Sequence, residues 1–423
     1  MCTGSEELIL DMCGSSNTIC MYVNKDSLII NKRDIFDDEF RSWTIPIKYK
    51  IESPLTKNTI QEALAEISKN TCIEFNEDNS LTDNTQGIVF KKSGHCSSEV
   101  GLMYSNRTQS IQLTEDCSKR KGVILHEVGH ALGLVHEHSR KDRDKYVTFT
   151  ENYVKSGEDV NFRINNNTEF TNFSTYYDYN SIMHYGPYDF TNNPWKKVLT
   201  SNLHKEYDRM MGQRSYMTFN DYKKINKAHC DKCRKNKRKN KAKDKKKIKK
   251  KDEAKNNKKD KTKNNNKSEC KKIKCFNGGY QRFNDSENCF CPTGYTGKAC
   301  ENINKSDDSC GSTNFQVTDK IQYYAMSGNR KCYIFLLADE KKKINIGIYY
   351  TYAKSKTICT EDVSHQIKYL ADKGTTGLLL CSWRRDVINI TSELNSALII
   401  YNGQDSNHFL HFGFKQVDEV SKV

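Results

Sequence analysis

LHEVGHALGLVHEHSR, residues 125–140, brings four histidines and two glutamates into sixteen positions. His126 and His130 stand four apart, so on a helix they lie one turn apart on one face, where two imidazoles can share one zinc ion. Glu127 follows the first histidine too closely to chelate beside it; it is placed instead to take a proton from water at the metal. Gly133, three residues past His130, can adopt a positive φ and turn the chain sharply, which lets His136 swing back as a third ligand. Three histidines leave a coordination position open, as catalysis requires, whereas structural zinc more often uses thiolates and closes all four. A bare HExxH arises by chance in roughly one chain in a hundred of this composition; the added glycine and histidine lower that to roughly one in ten thousand. Nothing in the spacing aims His138 at the metal, so packing or hydrogen bonding beside the site is expected of it.

Outside this stretch the composition divides the chain. At 423 residues it is too long for one compact domain. The formal charge of +15 is concentrated between Arg234 and Glu269, where nineteen basic residues face five acidic ones; the remainder is nearly neutral, with 49 basic and 48 acidic. That segment has one isoleucine and no aromatic residue, so it cannot bury a core and is expected to be an extended linker. Three roles are compatible with it: a solvated spacer, attachment to acidic glycosaminoglycan or matrix, or nucleic-acid binding. The last would strand the cysteines in a reducing compartment, so no nucleic-acid partner is expected.

Seventeen cysteines and seven N-x-[ST] sequons, at Asn106, Asn166, Asn172, Asn266, Asn284, Asn304 and Asn389, point to a secreted, disulfide-forming protein. The first twenty residues show no basic and apolar signal segment, and the expectation is that the start of the chain is incomplete. No apolar run is long enough to span a membrane.

The local pattern predicts a strand over WTIPIKYKI (43–51), with its proline at an edge or first position. A helix is predicted over NTIQEALAEISKNTC, from Ile60, Leu64 and Ile67. Short strands at CIEF, GIVFKK and SIQLT, a helix at GVILHEVGHALG and a closing helix at FNDYKKINKAHC complete an α/β or α+β lobe. Residues 270–300 are too cysteine-rich and apolar-poor to fold without disulfides. Residues 310–423 alternate short β-branched and aromatic runs, as an all-β sandwich does.

A second motif, SIMHYG (181–186), lies about fifty residues past the histidines. HExxHxxGxxHE followed by S-x-M-H-Y resembles the astacin family of metzincin metalloproteases over residues 34–230. The resemblance implies an α+β metzincin catalytic domain, a twisted sheet plus helices in two lobes. It further implies Met183 in the turn beneath the zinc, Tyr185 as an additional zinc ligand that stabilises the tetrahedral intermediate, and Glu137 as the anchor of the mature N-terminus. It also implies Cys72–Cys230 and Cys96–Cys117 disulfides. Residues 270–301 resemble an EGF-like module, implying Cys291–Cys300, although Tyr280 stands where that pattern has a cysteine. Residues 302–423 resemble a CUB domain, implying Cys310–Cys332 and Cys359–Cys381, while the acidic residues of a CUB calcium site are not matched.

The organisation expected is a propeptide remnant at 1–33, a catalytic domain at 34–232, the Lys-rich linker at 233–269, an EGF-like module at 270–301 and a CUB-like domain at 302–423. Residues 1–33 lack the family's propeptide aspartate motif; NKRD (31–34) is a basic cleavage site near the expected mature start. Cys2, Cys13 and Cys20 are either stray propeptide cysteines or a thiolate block on the zinc. Pairing of Cys2, Cys13, Cys20, Cys233, Cys270, Cys275 and Cys289 stays open. The function implied is a secreted zinc endopeptidase acting on extracellular proteins, with protein or peptide substrates. The rival is a catalytically silent protein acting through its EGF and CUB modules and basic linker.

Overall fold

Five strands and three helices build the lobe that carries the histidine motif. The computed structural model describes residues 42–164, 173–231 and 273–418, with the backbone of two short antiparallel strands, β1 (Ile9–Leu10) and β2 (Met21–Tyr22). Apart from that hairpin, the expectations for 1–33 lie outside the described residues. So do those for the Lys-rich segment, for Cys233 and Cys270, and for the sequons at Asn166, Asn172 and Asn266.

The lobe runs β3 (Ile47–Ile51), α1 (Lys57–Asn70), β4 (Phe75–Glu77), β5 (Gly87–Lys92), β6 (Ser97–Ser98), β7 (Thr108–Leu113), α2 (Glu115–Ser118) and α3 (Lys121–Ala131). The sheet order is β4-β3-β5-β7-β6, parallel except for the antiparallel edge β6. Helix α1 buries Ile60, Ala63, Leu64 and Ile67, the stripe its spacing predicts. These side chains join Ile88, Phe90, Ile111, Val123, Ile124 and Val128 in one core.

Two expected strands shift. The strand predicted from Trp43 begins only at Ile47, because Pro46 has no N–H to give a ladder. Trp43 has another use, donating its indole N–H to Ala131 O at the end of α3. CIEF does not form a strand as a unit; pairing starts at Phe75, and Ile73 packs into the core instead.

The second lobe is mostly short turns. Strands β8 (Val147–Phe149) and β9 (Leu199–Ser201) pair, and α4 (Phe219–Ile225) runs on as a wider turn to Cys230. Thr218 and Asp221 form a reciprocal capping box at the start of α4. Cys72–Cys230 ties α1 to the end of this segment, and Cys96–Cys117 braces the sheet edge against α2.

Beyond the undescribed stretch, a small module holds β10 (Tyr280–Gln281), β11 (Cys289–Phe290), β12 (Tyr295–Thr296) and β13 (Asn302–Ile303). It is closed by Cys275–Cys289, a pairing the sequence left open, and Cys291–Cys300. The rest is a sandwich of β14 (Asn314–Gln316), β15 (Gln322–Ser327), β16 (Arg330–Leu337), β17 (Lys342–Ala353), β18 (His365–Lys368), β19 (Leu378–Leu380), β20 (Ser382–Arg384), β21 (Ile388–Thr391), β22 (Ser396–Gly403) and β23 (Phe409–Asp418). Its two sheets are ordered β14-β16-β22-β18-β19 and β15-β23-β17-β20, with β21 also on β17. Cys310–Cys332 and Cys359–Cys381 are both formed.

The modules are not strung apart. Tyr179, Tyr185, Tyr207, Met210 and Met211 of the second lobe share one continuous apolar core with Ile367, Leu378, Leu379 and Leu380 of the sandwich. Tyr295 and Cys300 of the small module pack on Leu398 and Ile400 of β22.

Candidate active site

Helix α3 carries His126 and His130 to the boundary between the lobes, both fully buried. The helix stops at Ala131, and Gly133 follows at φ +99° with its N–H on His130 O. A side chain with a Cβ rarely adopts that conformation, so the glycine makes the reversal that returns His136. The Nε2 atoms of His130 and His136 lie 3.1 and 3.4 Å from Nε2 of His126. Four-coordinate zinc with nitrogens at about 2.0–2.1 Å sets neighbouring nitrogens about 3.3–3.4 Å apart, so the three donors fit one ion. Among the described residues this is the one group of three or more such side chains gathered closely enough to hold a metal.

The other ring nitrogens fix the tautomers. His126 Nδ1–H donates to Ile182 O at 2.9 Å and His130 Nδ1–H to Leu134 O at 2.7 Å, which leaves the Nε2 lone pairs turned inward. Burial holds the His126 and His136 imidazoles far below their usual pKa and His130 at about 4, so all three stay neutral, as ligation needs.

Glu127 is fully buried, and neither carboxylate oxygen has a protein hydrogen-bond partner. Burial pushes its carboxyl well above the usual range, opposed by the positive charge of Arg214. Arg214 itself donates to His184 O and Gln213 O behind the site. An orphaned carboxylate beside three convergent imidazoles is the donor chemistry a catalytic zinc site calls for.

Tyr185 stacks between the second lobe and the ligands, its ring centroid 4.3 Å from that of His136 and 3.9 Å from that of His138. His138 Nε2–H donates to Asn161 O, and the residue is absent from the ligand group. It is the packing histidine expected. Met183 is buried under α3, and its carbonyl accepts the N–H of Glu137 at 3.0 Å.

Glu137 points away from the ligands. One of its oxygens accepts from Arg140 and from the Asp178 N–H; the other binds Lys224. Burial works to raise its pKa, but Lys224 and Arg140 outweigh it and hold the carboxyl at about 2. Residues 34–41, where the mature N-terminus is expected, lie outside the described residues.

Sequence reasoning passed over Arg214, Asp221, Lys224 and Asp178. Asp221 accepts from Ser181 Oγ at 2.6 Å and Ile182 N at 3.1 Å, pinning the methionine turn to α4. The T-x-x-D pattern at 218–221 carried a local signal for the helix start; nothing local signalled the others.

Residues 36–230 match the family model for astacin, peptidase family M12A. Zinc metalloproteinase nas-36 of Caenorhabditis elegans is 29% identical over 410 residues, covering 93% of this chain and 58% of that protein. Its namesake from Brugia malayi is 28% identical, covering 90% and 61%. A solved structure, high choriolytic enzyme 1 of medaka, is 29% identical over 44% of this chain and 92% of its own, with a TM-score of 0.40. The chain thus spans about three-fifths of the length of these two curated relatives. Residues 36–230 of this chain are thus similar to an astacin domain, and His126, His130 and His136 are the described side chains there that could hold a metal ion.

Proposed function

We propose that the chain is a secreted zinc endopeptidase that cleaves extracellular proteins such as matrix, cuticle, eggshell or host tissue. The observation that carries this is the Glu127 carboxylate, buried and partnerless beside the three imidazoles. Leaving a buried carboxylate unsatisfied costs stability and is retained where chemistry uses it. Zinc held by His126, His130 and His136 supplies Lewis-acid polarisation of the scissile carbonyl and makes water a stronger acid. Glu127 accepts the proton of the attacking water and delivers it to the departing amine nitrogen. The Tyr185 hydroxyl stabilises the oxyanion, and Met183 supports the ligands from below. Glu137, with Lys224 and Arg140, braces the turn after His136.

In this reading the chain is made as a zymogen, cleaved near NKRD (31–34), and catalysis resides in 34–232. The 270–301 module is EGF-like, 302–423 is CUB-like, and 234–269 is a solvated spacer whose basic charge also suits acidic glycosaminoglycan or matrix. The test is turnover of a peptide library by protein freed of its first 33 residues, with and without a chelator. Chelator-sensitive cleavage that Glu127→Gln abolishes, at unchanged zinc content, is expected. Absent turnover in folded, zinc-loaded protein would instead favour a silent binding protein.

A further inference from the structure

One loop of the sandwich reaches into the catalytic lobe. Residues 369–377 connect β18 to β19, and three of them grip separate points there. Asp372 Oδ2 accepts the Tyr176 N–H, Thr375 Oγ1 accepts from Asn220 Nδ2 at 3.1 Å, and Thr376 donates both its N–H and its hydroxyl to Asp178 Oδ2 at 3.4 and 3.1 Å. The loop is stiffened from within: buried Lys368 and Lys373 cap five of its own and neighbouring carbonyl oxygens. The small module closes the same junction, with Gly278 O accepting from Lys223 Nζ at 2.8 Å.

What these contacts hold is the segment that orients the zinc ligands. Burial, and then the neighbouring carboxylates Asp221 and Glu137, raise the pKa of Asp178 to about 7. Its carboxylate needs donors. Among the described residues the catalytic lobe supplies one, the Asn180 N–H at 3.1 Å; the sandwich supplies two, both from Thr376. Asp178 in turn donates its N–H to Glu137, directly after ligand His136. Four residues later, Ile182 O receives His126 Nδ1–H.

Helix α4 connects the same two regions. Asn220 and Lys223 hold the C-terminal modules; Asp221 and Lys224 hold the methionine turn and Glu137. Alternate residues of one short helix therefore serve the junction and the site.

We propose that Thr376 is a positioning residue for peptide hydrolysis, fixing Asp178 and with it the 178–185 segment, so that the C-terminal modules complete the active site of their own chain. This rests on the peptidase reading above. The loop touches no ligand; it acts by setting where Ile182 O, Met183 and Tyr185 stand. Displacements of about 1 Å at a catalytic group can cost a hundredfold in rate, so the loss of the hydroxyl, the shorter of the two donors beneath that segment, is expected to be visible in turnover.

The test uses the activated full chain and a fluorogenic peptide of a few residues, with kcat, KM and bound zinc measured together. Thr376→Val, which keeps shape and removes the hydroxyl, is expected to lower kcat about tenfold, with KM within about twofold and zinc unchanged. Thr376→Ser restores the hydroxyl and is expected to return kcat to within about twofold of the parent. Gly278→Ala places a Cβ 2.2 Å from Asp372 Oδ1 and 2.4 Å from Gly374 N, wedging the junction, and is expected to lower kcat in the same way. Wild-type kcat in Thr376→Val, or equal loss in the valine and serine variants, would overturn the inference. If Thr376→Val does not fold, Gly278→Ala decides: a parental kcat there overturns it and a reduced kcat at unchanged zinc supports it. A zinc-loaded parent without turnover removes the peptidase reading and this inference together, an outcome distinct from an active parent indifferent to the junction.

Discussion

Glu127 and Glu137 are ten residues apart in one motif, both buried, and the fold treats them in opposite ways. Glu127 has no protein donor on either oxygen, and burial drives its carboxyl upward. Glu137 is held by Lys224, Arg140 and a backbone N–H, and its carboxyl is drawn down to about 2. Side-chain chemistry is identical, so the surroundings set the difference: a carboxylate left without partners is available to protons and metal, and one enclosed by cations is a structural strut.

That contrast is breakable by the same substitution at both places. Glu127→Gln is expected to lower kcat by about two to four orders of magnitude, the range for a lost general base. It should leave the metal-free protein at least as stable as the parent, because a buried, unpaired carboxyl has been replaced by a neutral amide. Turnover and thermal denaturation check the two halves; a strongly destabilised Glu127→Gln would mean the carboxylate is a strut after all.

Glu137→Gln reverses the pattern. It removes the buried counter-charge that Lys224 and Arg140 share, although Arg140 keeps Asp142, and removing one partner of a buried pair costs about 3–5 kcal/mol. Urea unfolding should show that loss. Adding Lys224→Met to Glu137→Gln should recover part of it, since a buried charge that has lost its Glu137 partner goes with the lysine. Equal stability of single and double variants would show that Lys224 is solvated in the variant.

How far the site could be read from the sequence follows from where each contact comes from. His126, His130 and Gly133 are legible because a helical repeat and a positive-φ stop are local properties of one stretch. The pairings Cys72–Cys230 and Cys359–Cys381 were legible only through resemblance, since spacing alone leaves many connectivities open. Lys224 reaches Glu137 across 87 residues and Thr376 reaches Asp178 across 198, and no periodicity encodes such meetings. The basic segment between the two halves suggested modules held apart; the shared core around Tyr207, Met210 and Leu379 was invisible because those residues read only as ordinary apolar positions. Trp43 reads as a strand residue for a similar reason: an aromatic beside β-branched residues looks like a strand until its indole finds Ala131 O.

The smallest expected effect concerns Tyr280, which stands where an EGF-like pattern has a cysteine. Its ring is buried 5.2 Å from that of Phe219 at the start of α4, and its hydroxyl accepts from Asn226 Nδ2 at 3.1 Å. Tyr280 thus makes a contact between the small module and α4. Asn226 Nδ2 also serves Asn70 O and Tyr222 O, so losing the hydroxyl leaves no donor unsatisfied. Tyr280→Phe is therefore expected to cost only about 0.5–1 kcal/mol in urea unfolding, at the low end for a hydrogen bond. Tyr280→Ala also removes the ring, and the truncation of a buried aromatic costs about 3–5 kcal/mol. If the phenylalanine variant loses as much as the alanine variant, the hydroxyl rather than the ring holds the module to α4, and the contact is polar rather than apolar.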